Sequence, residues 1–284
     1  MESFPTTDGR VLEYLEVGDR GGRPVAFLHG TPATAGAAVL FDDAARRQRV
    51  RLFALSRPGY GATTMTAPGL VSVGHDVGEL ASGLGIGEFE VLGVSGGGPF
   101  ALAVGATLEA RARRVMVAAS PAPYHLIAPE VLEGEDEEAL ALLAAGDVDG
   151  AVATLTAAVR QAFGAMCQLG ASEFEAEFIS TIPATEHYFD ARPAERTTFI
   201  ADFRRGLATF NGFVRDNLSW EGPWDFDLAA VEAPVALLYG AADPMVAHGE
   251  WLAARLPNGD LTIQPEVGHF DTCFGSAEWL LDPE

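Results

Sequence analysis

The 284-residue chain is short of cysteine, of basic residues and of long apolar runs, and each shortage closes off a class of function. Its two cysteines, Cys167 and Cys273, stand far apart. Two thiols cannot staple a domain of this size, and their spacing matches no metal-binding pattern. Cys273, close in sequence to a histidine, is expected as a small buried hydrophobe. Basic residues number 18 against 40 acidic ones, a formal charge of −22. Nucleic acid and anionic membrane surfaces require clustered Lys and Arg, so neither is expected as a partner, and the acidic excess reads as a solvated surface. No apolar stretch reaches about 18 residues, the minimum for a membrane span. Met1-Glu2-Ser3-Phe4-Pro5 has no basic region leading into an apolar core, as a secretory signal would. The expectation is a cytoplasmic protein with a small-molecule substrate; nothing in the sequence marks an oligomeric state.

What the chain does have is apolar sequence in short pieces. Val11 to Val17 alternates, as a half-exposed antiparallel strand does. Nearly continuous apolar runs follow at 24–28, 50–55, 89–94, 114–119 and 234–239, with a weaker one at 261–265. Such runs, bounded by Gly, Pro and Asp, suit strands buried on both faces of a parallel sheet. Helical patterns lie between most of them, at about 36–47, 74–84, 97–109 and 247–255. The alternation predicts an α/β fold: a mostly parallel, doubly wound sheet of about eight strands. It stops between Pro121 and Asp227, where helical patterns at 136–145, 148–163, 172–179 and 193–213 occur without a strand. The domain boundaries follow: residues 1–120 and 228–284 form the core, and 121–227 a helical cap inserted after the sixth strand. The acidic cluster from Glu133 to Glu138 reads as a solvated helix start.

The chemistry gathers at Gly93-Val94-Ser95-Gly96-Gly97, between an apolar strand and a helix opened by Pro99. A Gly-x-Ser-x-Gly turn at that junction exposes the serine on a sharp bend, and small residues flank it because neighbouring backbone leaves no room for side chains. A phosphate-binding loop is the competing reading, but neither Gly-Lys-Ser/Thr nor Gly-x-Gly-x-x-Gly is present. A catalytic acid and histidine should follow, in that order, at later strand ends. Asp243 follows the run ending at Gly240, and His269 follows the weaker run after Leu261. His269 has the chemistry to take a proton from Ser95, and Asp243 to orient it; Asp271 is the fallback orienter. His29, His75 and His248 are expected to be structural, His248 at the surface, and His125 and His187 fall in the cap. Among the cap aromatics, which include Phe163, Phe178, Phe203, Phe210 and Phe213, the residues singled out for substrate contact are His187, Tyr188, Phe189 and Phe163.

Five segments in this order, His29-Gly30-Thr31-Pro32, Arg57-Pro58-Gly59-Tyr60-Gly61, the Ser95 turn, Asp243 and His269, resemble the capped α/β-hydrolase superfamily over essentially the whole chain. The resemblance implies an oxyanion hole made by the backbone N–H groups of Thr31 and Gly96. Ser56 stands where such relatives commonly carry Asp before Arg-Pro-Gly. Relatives that open epoxides or displace halides use Asp as nucleophile, so Ser95 points instead to acyl transfer to water through an acyl-enzyme, with no cofactor and no metal. An esterase-like hydrolase acting on a carboxylic ester, lactone or thioester of a small apolar substrate is the leading expectation. A ligand receptor or non-hydrolytic catalyst on the same fold is the alternative.

Overall fold

The computed structural model describes residues 1–132, 134–183 and 186–282, so Glu133 of the acidic cluster lies outside the described residues. The short apolar runs build one sheet of eight strands: β1 (Glu2–Pro5), β2 (Val11–Gly18), β3 (Arg23–Leu28), β4 (Val50–Leu55), β5 (Phe89–Val94), β6 (Ala112–Ala118), β7 (Val235–Gly240) and β8 (Gly259–Gln264). Their spatial order is β1-β2-β4-β3-β5-β6-β7-β8. β1 and β2 pair antiparallel, as do β2 and β4, and every other pair is parallel. Side chains of period two divide each strand between two cores. Val25, Phe27, Leu52, Ala54, Leu92 and Val94 face one; Ala26, Leu28, Phe53, Leu55 and Val91 face the other.

Against the second face pack α2 (Val71–Gly83), α3 (Gly98–Thr107) and α10 (Val246–Ala253). The first face is covered by α1 (Asp42–Arg47), α11 (Ala277–Leu280) and the cap. The cap lies between β6 and β7 and contains α4 (Tyr124–Ile127), α5 (Glu135–Ala144), α6 (Val148–Cys167), α7 (Ala171–Thr181), α8 (Pro193–Gly206) and α9 (Asn211–Trp220). Among the described residues it holds no strand. No helix among them is long and apolar enough to cross a membrane.

Three local features differ from the sequence reading. β1 is an edge strand of four mostly exposed residues and carries no apolar run to mark it. The pattern at 193–213 is two helices rather than one, because the chain turns at Phe210, whose φ is +60°. Gly206 ends α8 where a β-carbon would come within 2.8 Å of the Ala33 backbone nitrogen, so this turn is pressed against the loop after β3. His248 is buried rather than exposed, and its Nδ1 accepts the Ala122 N–H at 2.9 Å. The strand-to-cap crossing at 122 leaves that amide without a ladder partner, and the histidine satisfies it.

Polar contacts dock the cap on the core. Asp202 of α8 accepts the Thr34 N–H at 2.8 Å and also the Thr34 hydroxyl. Arg205 reaches the buried Glu13 at 2.5 Å, and Glu13 also accepts the Ser56 hydroxyl at 2.7 Å. Ser56 thus spends its hydroxyl on this cluster. A less favourable arrangement occurs at Glu221, just past α9, where one carboxylate oxygen is buried without a partner. Burial first, and then the charge of Asp136, pushes its pKa up to about 8. Because the folded-state pKa exceeds the unfolded one, the stability tied to protonation is full in acid and is lost as pH rises through about 8. Glu221→Gln is therefore expected to raise the melting temperature more at pH ~8.5 than at pH ~4.5, where both side chains are neutral. Equal shifts at the two pH values would contradict this account of Glu221.

Candidate active site

β5 ends at Val94, and the chain reverses into a short 3-10 turn and α3 with Ser95 at the bend. Ser95 has φ +50°, a left-handed conformation that L-residues adopt only at a cost. The flanking glycines are required by proximity. At Gly93 a β-carbon would stand 2.6 Å from the Gly97 carbonyl oxygen. At Gly97 it would collide with the Leu28 and His29 carbonyl oxygens of the neighbouring strand end.

His269 stands in the loop after β8, half-buried, and its Nε2 lies 3.0 Å from Ser95 Oγ. Its Nδ1 lies 2.8 Å from Oδ2 of Asp243, whose side chain is fully buried. A carboxylate can only accept, so Nδ1 carries the proton, which leaves Nε2 free to accept the serine proton. Asp243 has a second task, since Oδ1 accepts the Met245 N–H at 2.9 Å and caps the turn into α10. That bond holds the carboxylate while the other oxygen serves the histidine. Burial disfavours the imidazolium of His269, but the Cys273 sulfur and the Asp243 carboxylate outweigh it and raise its pKa. Asp271 faces elsewhere, with Oδ2 accepting the His187 N–H at 3.3 Å.

The histidine loop is also gripped from the cap. Glu186 accepts the His269 N–H at 2.5 Å and the Phe270 N–H at 2.8 Å, so one carboxylate ties both backbone amides. Nothing in the sequence around Glu186 announces this role, because its partners lie 83 and 84 positions away.

Across from His269 lies the loop His29-Gly30-Thr31. The Thr31 N–H has no acceptor among the described residues. Gly96 packs directly against Thr31, where a β-carbon would stand 3.2 Å from the Thr31 nitrogen. The loop is held from beneath by Arg57, which is fully buried. Its guanidinium donates to the His29 carbonyl, to the Gly30 carbonyl at 3.3 Å and to Thr31 Oγ1 at 3.0 Å. The same guanidinium makes a salt bridge of 2.6 Å with Asp216 of α9, both side chains wholly out of solvent. Asp216 also accepts from Thr31 Oγ1 at 2.8 Å and from the Tyr60 hydroxyl at 2.9 Å. His29 takes the Arg57 N–H on Nε2 at 3.2 Å and donates from Nδ1 to the Gly30 carbonyl at 2.8 Å. Burial and the nearby Arg57 charge hold the His29 pKa well below its ordinary value, which keeps it neutral for this arrangement.

A buried pair with every partner in place is costly to break from one side only. Arg57→Met is expected to destabilise the protein by roughly 3–5 kcal/mol, because Asp216 is left buried and charged without a counter-charge. In the double variant Arg57→Met/Asp216→Leu most of that loss should be recovered. Chemical denaturation of the two variants checks this, and equal losses in both would contradict it.

Two chambers meet at Ser95. The first, about 170 Å³, is walled by Phe178, Phe199, Phe203, Phe270 and Phe274, with Pro32, Ala33 and Cys273. The second, about 200 Å³, lies between Gly96, Tyr124, Phe213, Asn217, Trp220 and Met245. Cys273 is almost fully buried and looks onto the first chamber. Of the residues singled out for substrate contact, none lines either chamber. Tyr188 and Phe189 stand one layer behind, with the Phe189 ring tilted against Phe199 at 5.2 Å and Tyr188 at 5.8 Å from Phe274. Phe163 backs Phe213 at 5.7 Å, and the exposed His187 pairs with Asp190 at 3.1 Å. Phe270 and Phe274, which sequence reasoning missed, sit one and five positions after His269; their signal was that interval, which returns them to the histidine's own turn.

Among the described residues no group of acids, histidines and cysteines is arranged to hold a metal ion. The profile of the alpha/beta hydrolase family matches residues 25–281. No curated protein is close enough in sequence to match. Similar solved structures include a hydrolase from Pseudomonas aeruginosa PA01, 23% identical, covering 99% of this chain and 96% of that one, with a TM-score of 0.66. An enol-lactonase from Burkholderia xenovorans LB400 is 14% identical over 98% of this chain and 96% of its own, with a TM-score of 0.66. A thermophilic esterase from Thermogutta terrifontis is 18% identical over 98% and 94%, with a TM-score of 0.67. With the parallel part of the sheet from Val25 onwards, the Ser95 turn and the cap inside the matched span, this chain belongs to the alpha/beta hydrolase family.

Proposed function

We propose that the protein is a serine hydrolase that cleaves a carboxylic ester, or a related acyl bond such as a lactone or thioester, of a small and largely apolar substrate. The observation that carries this reading is the unbroken relay from Ser95 Oγ through His269 to Asp243, at 3.0 and 2.8 Å, opening onto a chamber walled by phenylalanines. In the first half-reaction Ser95 Oγ attacks the carbonyl carbon as its proton passes to His269 Nε2. The electron pair displaced onto the carbonyl oxygen is met by the N–H groups of Thr31 and Gly96. Collapse of this intermediate breaks the bond to the leaving group, which takes the proton from His269, and an acyl-serine remains. Water then gives its proton to His269 and attacks the same carbon, and the free acid leaves as Ser95 regains its proton.

Each element has a physical warrant. Asp243 keeps the imidazole in the productive tautomer and favours the imidazolium formed in both half-reactions. The left-handed Ser95 holds its hydroxyl within reach of His269, and among the described residues the Thr31 N–H has no other demand on it. The phenylalanine wall suits a compact apolar group on the substrate. An activity panel of short acyl esters, lactones and thioesters tests the proposal, combined with mass analysis after a fluorophosphonate probe. Turnover of at least one class and a single adduct on Ser95 are expected. Inertness to the whole panel together with no adduct would refute it.

A further inference from the structure

The two chambers at Ser95 differ in kind. The first is lined by five phenylalanines, whereas the second has polar side chains whose hydrogen bonds are unspent. Asn217 of α9 is 7% exposed and lines the second chamber, yet its carboxamide makes no hydrogen bond to any described residue. The carboxamide faces the chamber with its hydrogen-bonding capacity uncommitted among the described residues, so it can both donate and accept there. Helix α9 needs no asparagine here, since Asn217 is in its interior and its backbone carbonyl already accepts from Glu221. Beside it, the Tyr124 hydroxyl has, among the described residues, only the Met245 sulfur, at 3.7 Å, as acceptor. A thioether is a weak acceptor, so this donor too is available to a better one. Burial pushes the Tyr124 pKa up to about 12, so the phenol keeps its proton. The same chamber holds Thr31 and Gly96, which puts the carboxamide and phenol on the wall of the space where a carbonyl attacked by Ser95 would carry one of its two arms.

We propose that the second chamber is a polar subsite in which Asn217 and Tyr124 receive an oxygen-bearing group, such as a carbonyl, ether or hydroxyl, on one arm of the substrate. The compact apolar arm then occupies the phenylalanine chamber. This inference rests on the acyl-transfer reading of Ser95 and adds a substrate class to it: esters or lactones with one apolar arm and one arm bearing a hydrogen-bond acceptor a few bonds from the scissile carbonyl. Asn217 and Tyr124 are specificity residues in this scheme, because no reacting atom passes through them.

Two pairs of esters test the subsite; in the first an oxygen replaces two hydrogens, and in the second an oxygen replaces a methylene. p-Nitrophenyl levulinate against p-nitrophenyl pentanoate places the acceptor on the acyl arm; the pentanoate ester of methoxyethanol against that of butanol places it on the alcohol arm. In at least one pair the oxygen-bearing member is expected to have about tenfold higher kcat/KM, after correction for the hydroxide-catalysed rates. Asn217→Leu should collapse that ratio towards one, and Tyr124→Phe should reduce it. Asn217→Ala serves the same purpose if the leucine variant does not fold. The Kd of each ester is also measured by calorimetry on Ser95→Ala protein. Should no ester turn over while the oxygen-bearing member still binds tighter, the acyl-transfer reading fails and the subsite stands. A ratio near one in both pairs, in turnover and in binding, overturns the subsite, as does a ratio that neither Asn217→Leu nor Tyr124→Phe changes.

Discussion

Ser95→Ala is expected to lower kcat/KM on any accepted ester by about a millionfold while leaving the fold in place. The size follows from what the hydroxyl does. In the proposed mechanism it is the attacking atom, and its loss removes the covalent route and also makes His269 and Asp243 redundant, so the three act as a unit. Residual turnover over the uncatalysed reaction should survive at about 10³-fold, because the Thr31 and Gly96 donors can still stabilise an oxyanion formed by direct attack of water. The side chain lost is small, and among the described residues Oγ has His269 as its only hydrogen-bond partner, so the melting temperature should change little. The measurement is steady-state hydrolysis with the best ester of the panel, beside calorimetric melting. Wild-type-like turnover in the variant would move the nucleophile elsewhere.

Asp243→Asn should cost about 10⁴-fold in kcat, since an amide can donate to Nδ1 and so stabilise the tautomer that places the proton on Nε2, facing the serine. The variant also tests the electrostatics. Only neutral His269 can accept the serine proton, so kcat/KM should rise with pH through the histidine pKa. Because that pKa is raised in the folded protein, the midpoint is expected above the ordinary value of about 6.5. Removing the Asp243 charge should move the midpoint of the residual activity downwards. A pH–rate profile of each protein reads both effects. An unchanged midpoint in the variant would mean that Asp243 contributes geometry without charge.

How far the sequence foretold this molecule depends on the kind of signal each part left. The parallel strands were readable because they are buried on both faces, which forces continuous runs such as Val50–Leu55 and Phe89–Val94. β1 was not, since an exposed edge of four residues buries too little to impose a pattern. The break at Phe210 was concealed by helical periodicity on both sides; Gly206 and Gly212, one against the Ala33 backbone and the other against the Tyr60 ring, were its only trace. Ser95, His269 and Asp243 meet because strand ends converge, and strand ends can be found from apolar runs. The cap offers no such rule. Its aromatic residues alternate between the chamber wall, with Phe178, Phe199 and Phe203, and a second layer, with Tyr188 and Phe189, and helical spacing gives the face but not the depth. Glu186, Arg57 and Asp216 were silent for a related reason: their roles are set by partners far along the chain.

The left-handed turn at Ser95 carries a consequence for how such a protein ages in evolution. The conformation costs an L-residue roughly 1–2 kcal/mol, and glycine adopts it almost freely. Ser95→Gly is thus at once a loss of the nucleophile and a relief of backbone strain. Proteins sit only a few kcal/mol above the threshold for folding, so any lineage no longer held to the chemistry gains stability by that single exchange. Retaining a serine at this bend is a standing thermodynamic burden, of the kind that backbone strain at a working site represents.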